Sequence, residues 1–92
     1  VARFGGEEFV AILHGTGRDG ATIIGEAMRT AIEDLKIPNN AVSAGALVTI
    51  SVGASTVVPD DRTAAGDLVN RADQALYRAK DAGRNCLISD KD

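Results

Sequence analysis

The feature that most constrains the fold is the pair Gly5-Gly6, which stands between two short runs of β-prone residues at 1–4 and 9–13. Tight hairpin turns need a positive backbone φ, which glycine adopts at little cost. We therefore predict an antiparallel hairpin that turns at Gly5-Gly6 and carries Glu7 and Glu8 beside its tip.

The rest of the chain predicts a helix, a strand, a second helix and a final strand. Apolar residues recur at helical spacing over 20–35 and 64–82, whereas β-branched residues gather at 47–56 and a short apolar run occupies 86–88. Asp19 and Thr63 precede the two helices and are predicted to cap them. Gly53 lies inside a predicted strand, which indicates a bulge or a close backbone approach. This order predicts an α/β or α+β fold in one domain.

The predicted core is aliphatic, because aromatic residues make up only 3% of the chain. The first helix is expected to bury Ile24, Met28 and Leu35 on one face. Tyr77 is expected to pack against the sheet with its hydroxyl at the edge. Cys86 is expected to be a small buried apolar residue.

Composition excludes several classes of protein. No apolar stretch approaches the roughly 18–20 residues that span a bilayer, so we expect no membrane contact by this segment. The net charge of −3 argues against a broad basic face for nucleic acid. A single cysteine cannot form an internal disulfide, which favours a reducing compartment. The length of 92 residues, without an initiating Met, suggests a piece of a larger protein.

Two adjacent carboxylates beside a glycine turn are candidates for binding a metal and phosphate. Glu7 and Glu8 repel each other when held this close, and a hard cation such as Mg²⁺ would relieve that repulsion. Gly5 and Gly6 lack side chains and would let a phosphate or ribose approach the backbone. The simpler alternative is a solvated hairpin turn without any ligand.

Lys80 and Arg84 form a second candidate site at the end of the second predicted helix. They could converge on one anion, with the Arg84 guanidinium matching two phosphate oxygens. The alternative is that both cations interact only with the helix dipole, which favours positive charge at a helix C-terminus without a ligand.

Three motifs, in order along the chain, resemble the GGDEF family of diguanylate cyclases. Residues 3–9 read RFGGEEF, the variant of the signature with Glu in its third place. Residues 49–54 read TISVGA and resemble the TISxGxA strand of the family. Residues 72–80 read ADQALYRAK and residues 83–85 read GRN, similar to the helix and turn of the family.

The resemblance implies an enzyme that condenses two GTP molecules into cyclic di-GMP and releases two pyrophosphates. Each subunit of a homodimer would present one GTP, with Mg²⁺ or Mn²⁺ as the cofactor. Glu7 would be the metal ligand and the catalytic base at the 3′-hydroxyl, and Glu8 a second metal ligand. Gly5 and Gly6 would admit the nucleotide, and Lys80 and Arg84 would hold its terminal phosphates.

The resemblance also sets expectations about what lies outside the chain. Residues 1–92 would be the C-terminal part of one GGDEF domain, with a partial ferredoxin-like, nucleotidyl-cyclase-type antiparallel sheet that lacks its N-terminal central strand. Such a fragment is expected to be inactive alone and to form a strand-exchanged or tight dimer. A secondary inhibitory arginine of some members is replaced by Ala27. The family implies a cytoplasmic location, with any membrane tether in a sensory region outside this chain.

A non-catalytic GGDEF module that binds GTP or a protein partner is the alternative function. The intact signature acids, together with Lys80 and Arg84, favour the enzyme over this alternative.

Overall fold

The computed structural model describes residues 1–90 as two small sheets and two long helices. The elements, in chain order, are β1 (Ala2–Gly5), β2 (Glu8–Val10), α1 (Arg18–Asp34), β3 (Val52–Ala54), α2 (Ala65–Asp81) and β4 (Leu87–Ser89). This arrangement confirms the expected α+β class and is consistent with part of a cyclase-type fold.

The hairpin forms as predicted, but its turn lies one residue later. Gly5 pairs with Glu8, so the two turn residues are Gly6 and Glu7. Gly6 has a φ of 55°, whereas Glu7 does not have a positive φ. A positive φ at the first turn residue alone is the pattern of a type II′ turn, which requires glycine only there. The predicted Gly5-Gly6 turn is therefore wrong by one position, and Glu7 lies in the turn itself.

The second sheet is a parallel pair of strands joined by α2. Val52 pairs with Leu87 and Ala54 with Ser89. The predicted strand at 47–56 is reduced to three residues, because β4 offers only three partners. Earlier in that segment, Leu47 forms an isolated antiparallel bridge with Pro38.

Neither helix has the predicted cap. Gly17 is the N-cap residue of α1, and Asp19 lies inside the first turn, where its charge still favours the positive end of the helix dipole. Ala64 is the N-cap residue of α2, without a side-chain cap. The Thr63 hydroxyl instead donates to the Asp60 carboxylate at 3.0 Å, because the preceding turn supplies a closer partner.

Gly53 allows α2 to pack directly on the backbone of β3. A Cβ atom at this position would overlap the Leu76 amide nitrogen and the Ala72 carbonyl oxygen, and would lie 2.6 Å from the Leu76 Cα. The sequence prediction of a close backbone approach is thus confirmed. The two buried apolar residues in the described part of the chain, Ala75 and Ala79, are small and also belong to α2.

The described chain buries little apolar surface. Its accessible area is 6704 Å², whereas a compact protein of this mass exposes about 5,000 Å². Ile24 and Met28 remain 38% and 39% exposed and Leu35 63%, so the apolar face of α1 is only partly covered. Tyr77 is 72% exposed, and its predicted packing against the sheet is wrong. Cys86 is half-buried, and its thiol lies 3.4 Å from the Ala79 carbonyl oxygen.

A cleft separates the hairpin from the β3–α2 unit. Its volume is about 240 Å³. The segment 8–13 lines one side, and residues 54–57 with part of α2 line the other. The β1–β2 and β3–β4 pairs are separate sheets within residues 1–90. Consistent with this division, the radius of gyration is 14.1 Å, against about 12 Å for a compact chain of this length.

Candidate active site

The two signature carboxylates occupy different positions on the hairpin. Glu7 lies in the exposed turn, and Glu8 begins β2 and is half-buried. Because Glu7 belongs to the turn and Glu8 to the strand, one carboxylate projects from the tip while the other flanks it.

Arg3, on β1, stabilises the hairpin turn through hydrogen bonds from its side chain. Its Nε and Nη2 atoms both donate to the Gly6 carbonyl oxygen, at 3.1 and 2.9 Å. Sequence reasoning assigned no role to Arg3. Its position three residues before Gly6 is the signal that could have suggested this contact.

The structure brings the hairpin and the end of α2 together. Lys80 Nζ lies 3.6 Å from Glu8 Oε2, and both side chains are about one-third exposed. These residues are more than seventy positions apart in the chain. One carboxylate of the hairpin and one cation of the second candidate site therefore belong to the same surface.

Arg84 follows α2 in a tight left-handed turn. Its amide donates to the Ala79 carbonyl oxygen at 3.0 Å, which closes the last turn of the helix. Gly83, Arg84 and Asn85 all have positive φ, at 114°, 63° and 46°. The Arg84 side chain is exposed just beyond the helix end that carries Lys80.

A hydrogen-bonded network on α1 holds this turn. Arg29 Nη1 donates to Asn85 Oδ1 at 3.0 Å, and Asn85 Nδ2 donates to Glu33 Oε2 at 2.5 Å. Arg29 is itself fixed by Glu26, with Nη2 at 2.9 Å from Oε2. The hydrogen bonds from Arg29 hold the pKa of the Glu26 carboxyl below its ordinary value. The contact between Arg29 and Asn85 spans 56 positions, so no local pattern in the sequence predicts it.

Glu7 and Glu8 are the candidate metal ligands on the hairpin. No group of three or more His, Cys, Asp or Glu side chains that could hold a metal occurs among residues 1–90. Mg²⁺ in phosphoryl-transfer sites commonly uses one or two carboxylates and takes its other ligands from phosphates and water. Glu7 and Glu8 are two carboxylates of the residue type that such a site uses, and the described part of the chain forms no metal cage built entirely from side chains.

The comparisons with known proteins agree with these observations. The family described as "Diguanylate cyclase, GGDEF domain" matches residues 1–86. The chain is 38% identical over 90 residues to diguanylate cyclase A of Treponema denticola, covering 98% of this chain and 24% of that protein. It is 41% identical over 88 residues to diguanylate cyclase DgcP of Pseudomonas aeruginosa, covering 95% of this chain and 12% of that protein.

A third relative is the probable diguanylate cyclase DgcT of Escherichia coli, which is 35% identical over 88 residues, or 96% of this chain and 19% of that protein. The chain thus spans a quarter or less of the length of these relatives. Within residues 1–90, neither helix is long and apolar enough to cross a membrane.

Proposed function

Because the chain belongs to the GGDEF domain family, we propose that it is part of a diguanylate cyclase that condenses two GTP molecules into cyclic di-GMP. The observation that carries the proposal is the 3.6 Å approach of Lys80 Nζ to Glu8 Oε2. It joins a carboxylate pair suited to a metal with a cation suited to phosphate. Phosphoryl transfer depends mainly on such positioning and charge.

Gly5 and Gly6 would admit the nucleotide at the hairpin turn. A Cβ atom at either position would meet nothing within 4 Å, so the backbone is open to a ligand on this side. Arg3, through its two hydrogen bonds to the Gly6 carbonyl, keeps the turn in one shape. The turn would then already be ordered before GTP binds, so the entropy cost of ordering it would not reduce the affinity for GTP.

Glu7 would accept the proton of the ribose 3′-hydroxyl. The freed oxygen attacks the α-phosphorus of the other GTP, the bond between the α- and β-phosphates breaks, and pyrophosphate leaves. The 3′-hydroxyl of the second nucleotide then attacks the α-phosphorus of the first, which closes the ring and releases the second pyrophosphate. Since Glu7 is exposed at the tip of the hairpin, a second subunit can bring its GTP to this carboxylate.

Lys80 and Arg84 would hold the terminal phosphates, which carry the charge of the leaving group. Binding a triphosphate there would require Lys80 to exchange its contact with Glu8 for a contact with phosphate. An ion pair between groups this exposed is weak, so the exchange costs little. Glu8 would then be free, with Glu7, to hold Mg²⁺ or Mn²⁺, which would neutralise phosphate charge during the transfer.

The test is to incubate the longer protein that contains this chain with GTP and Mg²⁺ and to measure cyclic di-GMP and pyrophosphate. We expect two pyrophosphates for each cyclic di-GMP and a rate that rises with protein concentration where the dimer dissociates. GTP binding without product would refute the cyclase and support the non-catalytic module. Residues 1–92 alone are expected to make no product, and product from them would refute that expectation.

A further inference from the structure

We infer that Arg29 is a positioning residue for Arg84: through Asn85, it holds the turn that presents Arg84 beside Lys80. The inference deepens the proposed function and rests on it for the role of Arg84 toward phosphate. Arg29 lies on α1, outside every motif that the sequence analysis identified.

The turn needs an external restraint. Arg84 and Asn85 are consecutive non-glycine residues, and both have positive φ, at 63° and 46°. Non-glycine residues pay a conformational cost in this region, and they stay there only where surrounding contacts require it. Asparagine tolerates this conformation better than arginine, so Asn85 is the natural point at which to hold the turn.

Asn85 is held from both sides by α1. Its Oδ1 accepts a hydrogen bond from Arg29, and its Nδ2 donates to Glu33, so both polar atoms of the amide are used. The Arg29 side chain is only 17% exposed and lies 3.8 Å from Glu33 Oε1 as well, which closes a ring of three side chains. Glu26 fixes the guanidinium from the opposite direction.

The restraint reaches Arg84 through the backbone. Asn85 is the next residue, so fixing its φ and its side chain also limits the path of the chain at Arg84. On the C-terminal side of the turn, the Cys86 carbonyl oxygen accepts a hydrogen bond from the Val52 amide at 2.9 Å, directly before β4 pairs with β3. The turn is therefore fixed at the α2 end, at the sheet and, through Arg29, at α1.

The first test follows hydrogen exchange in the whole protein, in the absence of nucleotide, on peptides that cover residues 80–86. We expect Arg29→Gln to accelerate exchange there and to leave the peptides of α2 before residue 76 unchanged. Arg29→Lys should not rescue the effect, because an ammonium group cannot bind Glu26 and Asn85 in the same planar arrangement. Arg62→Gln, which removes an exposed arginine from a distant turn, is the matched control. Unchanged exchange over 80–86 in Arg29→Gln would overturn the inference.

The second test is a double-mutant cycle on the binding of a GTP analogue with a methylene bridge between its α- and β-phosphates. We expect Arg29→Gln to weaken binding about five- to tenfold when Arg84 is present and less than about twofold when Arg84 is replaced by Ala. An equal loss in both backgrounds would show that Arg29 does not act through Arg84. If Arg84→Ala alone leaves affinity unchanged, the proposed phosphate role of Arg84 fails, while the exchange experiment still decides whether Arg29 holds the turn.

Discussion

Lys80 Nζ lies 3.6 Å from Glu8 Oε2, which places the end of α2 against the hairpin that carries the signature carboxylates. Both groups are partly exposed, and exposed ion pairs contribute at most about 1 kcal/mol to stability. The contact is therefore strong enough to indicate proximity but weak enough to yield to a charged ligand. The contact places residues from two distant motifs on one surface.

Glu7→Gln should abolish cyclase activity without unfolding the protein. Loss of a general base typically costs about 10²–10⁴ in rate, and Glu7 lies in an exposed turn where an amide fits equally well. Cyclic di-GMP formation and urea unfolding of the longer protein measure the two effects. Asp61→Asn, an exposed acid in another turn, is the control and should retain activity. A Glu7→Gln variant with near-normal turnover would contradict the assigned role.

Glu8→Gln should separate metal binding from folding. It removes the partner of Lys80, so the free energy of unfolding should fall by less than about 1 kcal/mol. The concentration of Mg²⁺ needed for half-maximal activity should rise, because one of two carboxylates is lost. An unchanged Mg²⁺ requirement would exclude Glu8 as a metal ligand, and the titration should be repeated with Mn²⁺.

Gly53→Ala should be strongly destabilising. The added methyl group would overlap backbone atoms of Ala72 and Leu76, which cannot rotate away as a side chain can. Overpacking in a closely packed contact costs typically 1–3 kcal/mol, and we expect about 3 kcal/mol here. Gly66→Ala is the control, since nothing lies within 4 Å of its Cβ position in α2. That change should stabilise the helix by about 0.5–1 kcal/mol. Equal stability of the two variants in urea would contradict the close approach.

Asp90→Asn should loosen the contact of β4 with both helices. The Asp90 side chain is 5% exposed and forms ion pairs with Arg71 on α2 and with Arg18 on α1, the latter at 3.5 Å. Removing one member of a buried ion pair costs about 3–5 kcal/mol, and the partial exposure of both arginines reduces our expectation to about 2 kcal/mol. Thermal or urea unfolding provides the measurement, with Asp61→Asn as the exposed control. A loss below about 0.5 kcal/mol would show that the buried charge is dispensable.

Acidification should weaken the network on α1 through Glu26. The Arg29 hydrogen bonds lower the pKa of the Glu26 carboxyl from its ordinary value of 4.5. The stabilising contribution is therefore complete above about pH 4.5 and is lost as the pH falls through the lowered pKa. In Arg29→Gln, the pKa of this carboxyl should return toward 4.5, as followed by NMR of the Glu26 side-chain carbonyl. An unchanged titration would mean that Arg29 is not the cause.

Much of the hairpin and helix content was predictable from local pattern. Glycine beside β-prone runs predicts a turn, and repeated apolar spacing predicts helices, because both signals depend on neighbours within a few residues. The exact turn position, the two helix caps and the length of the predicted strand at 47–56 were wrong. The strand length depends on the fold, because only the distant β4 pairs with β3. The pairing of Gly5 with Glu8 and the contact of Thr63 with Asp60 are local, but residue propensity does not decide which nearby partner each residue takes.

The candidate site was also predictable only in part. The motifs identified Glu7, Glu8, Lys80 and Arg84 as residue types suited to metal and phosphate, but only the fold places Lys80 against Glu8. The roles assigned to these residues remain predictions. The contact between Arg29 and Asn85 was not predictable, because it joins residues 56 positions apart. The contact of Arg3 with the Gly6 carbonyl oxygen is local, but no motif specifies it.

The sequence alone determined the family and the α+β class and predicted the chemistry at the hairpin tip, since all three inferences follow from residue types at fixed local spacing. Only the tertiary structure decided which distant groups meet, which glycine admits a neighbouring helix and which arginine restrains the Arg84 turn. The physical reason is that side-chain contacts across more than fifty residues depend on packing, whereas backbone propensity and periodicity act within a few residues.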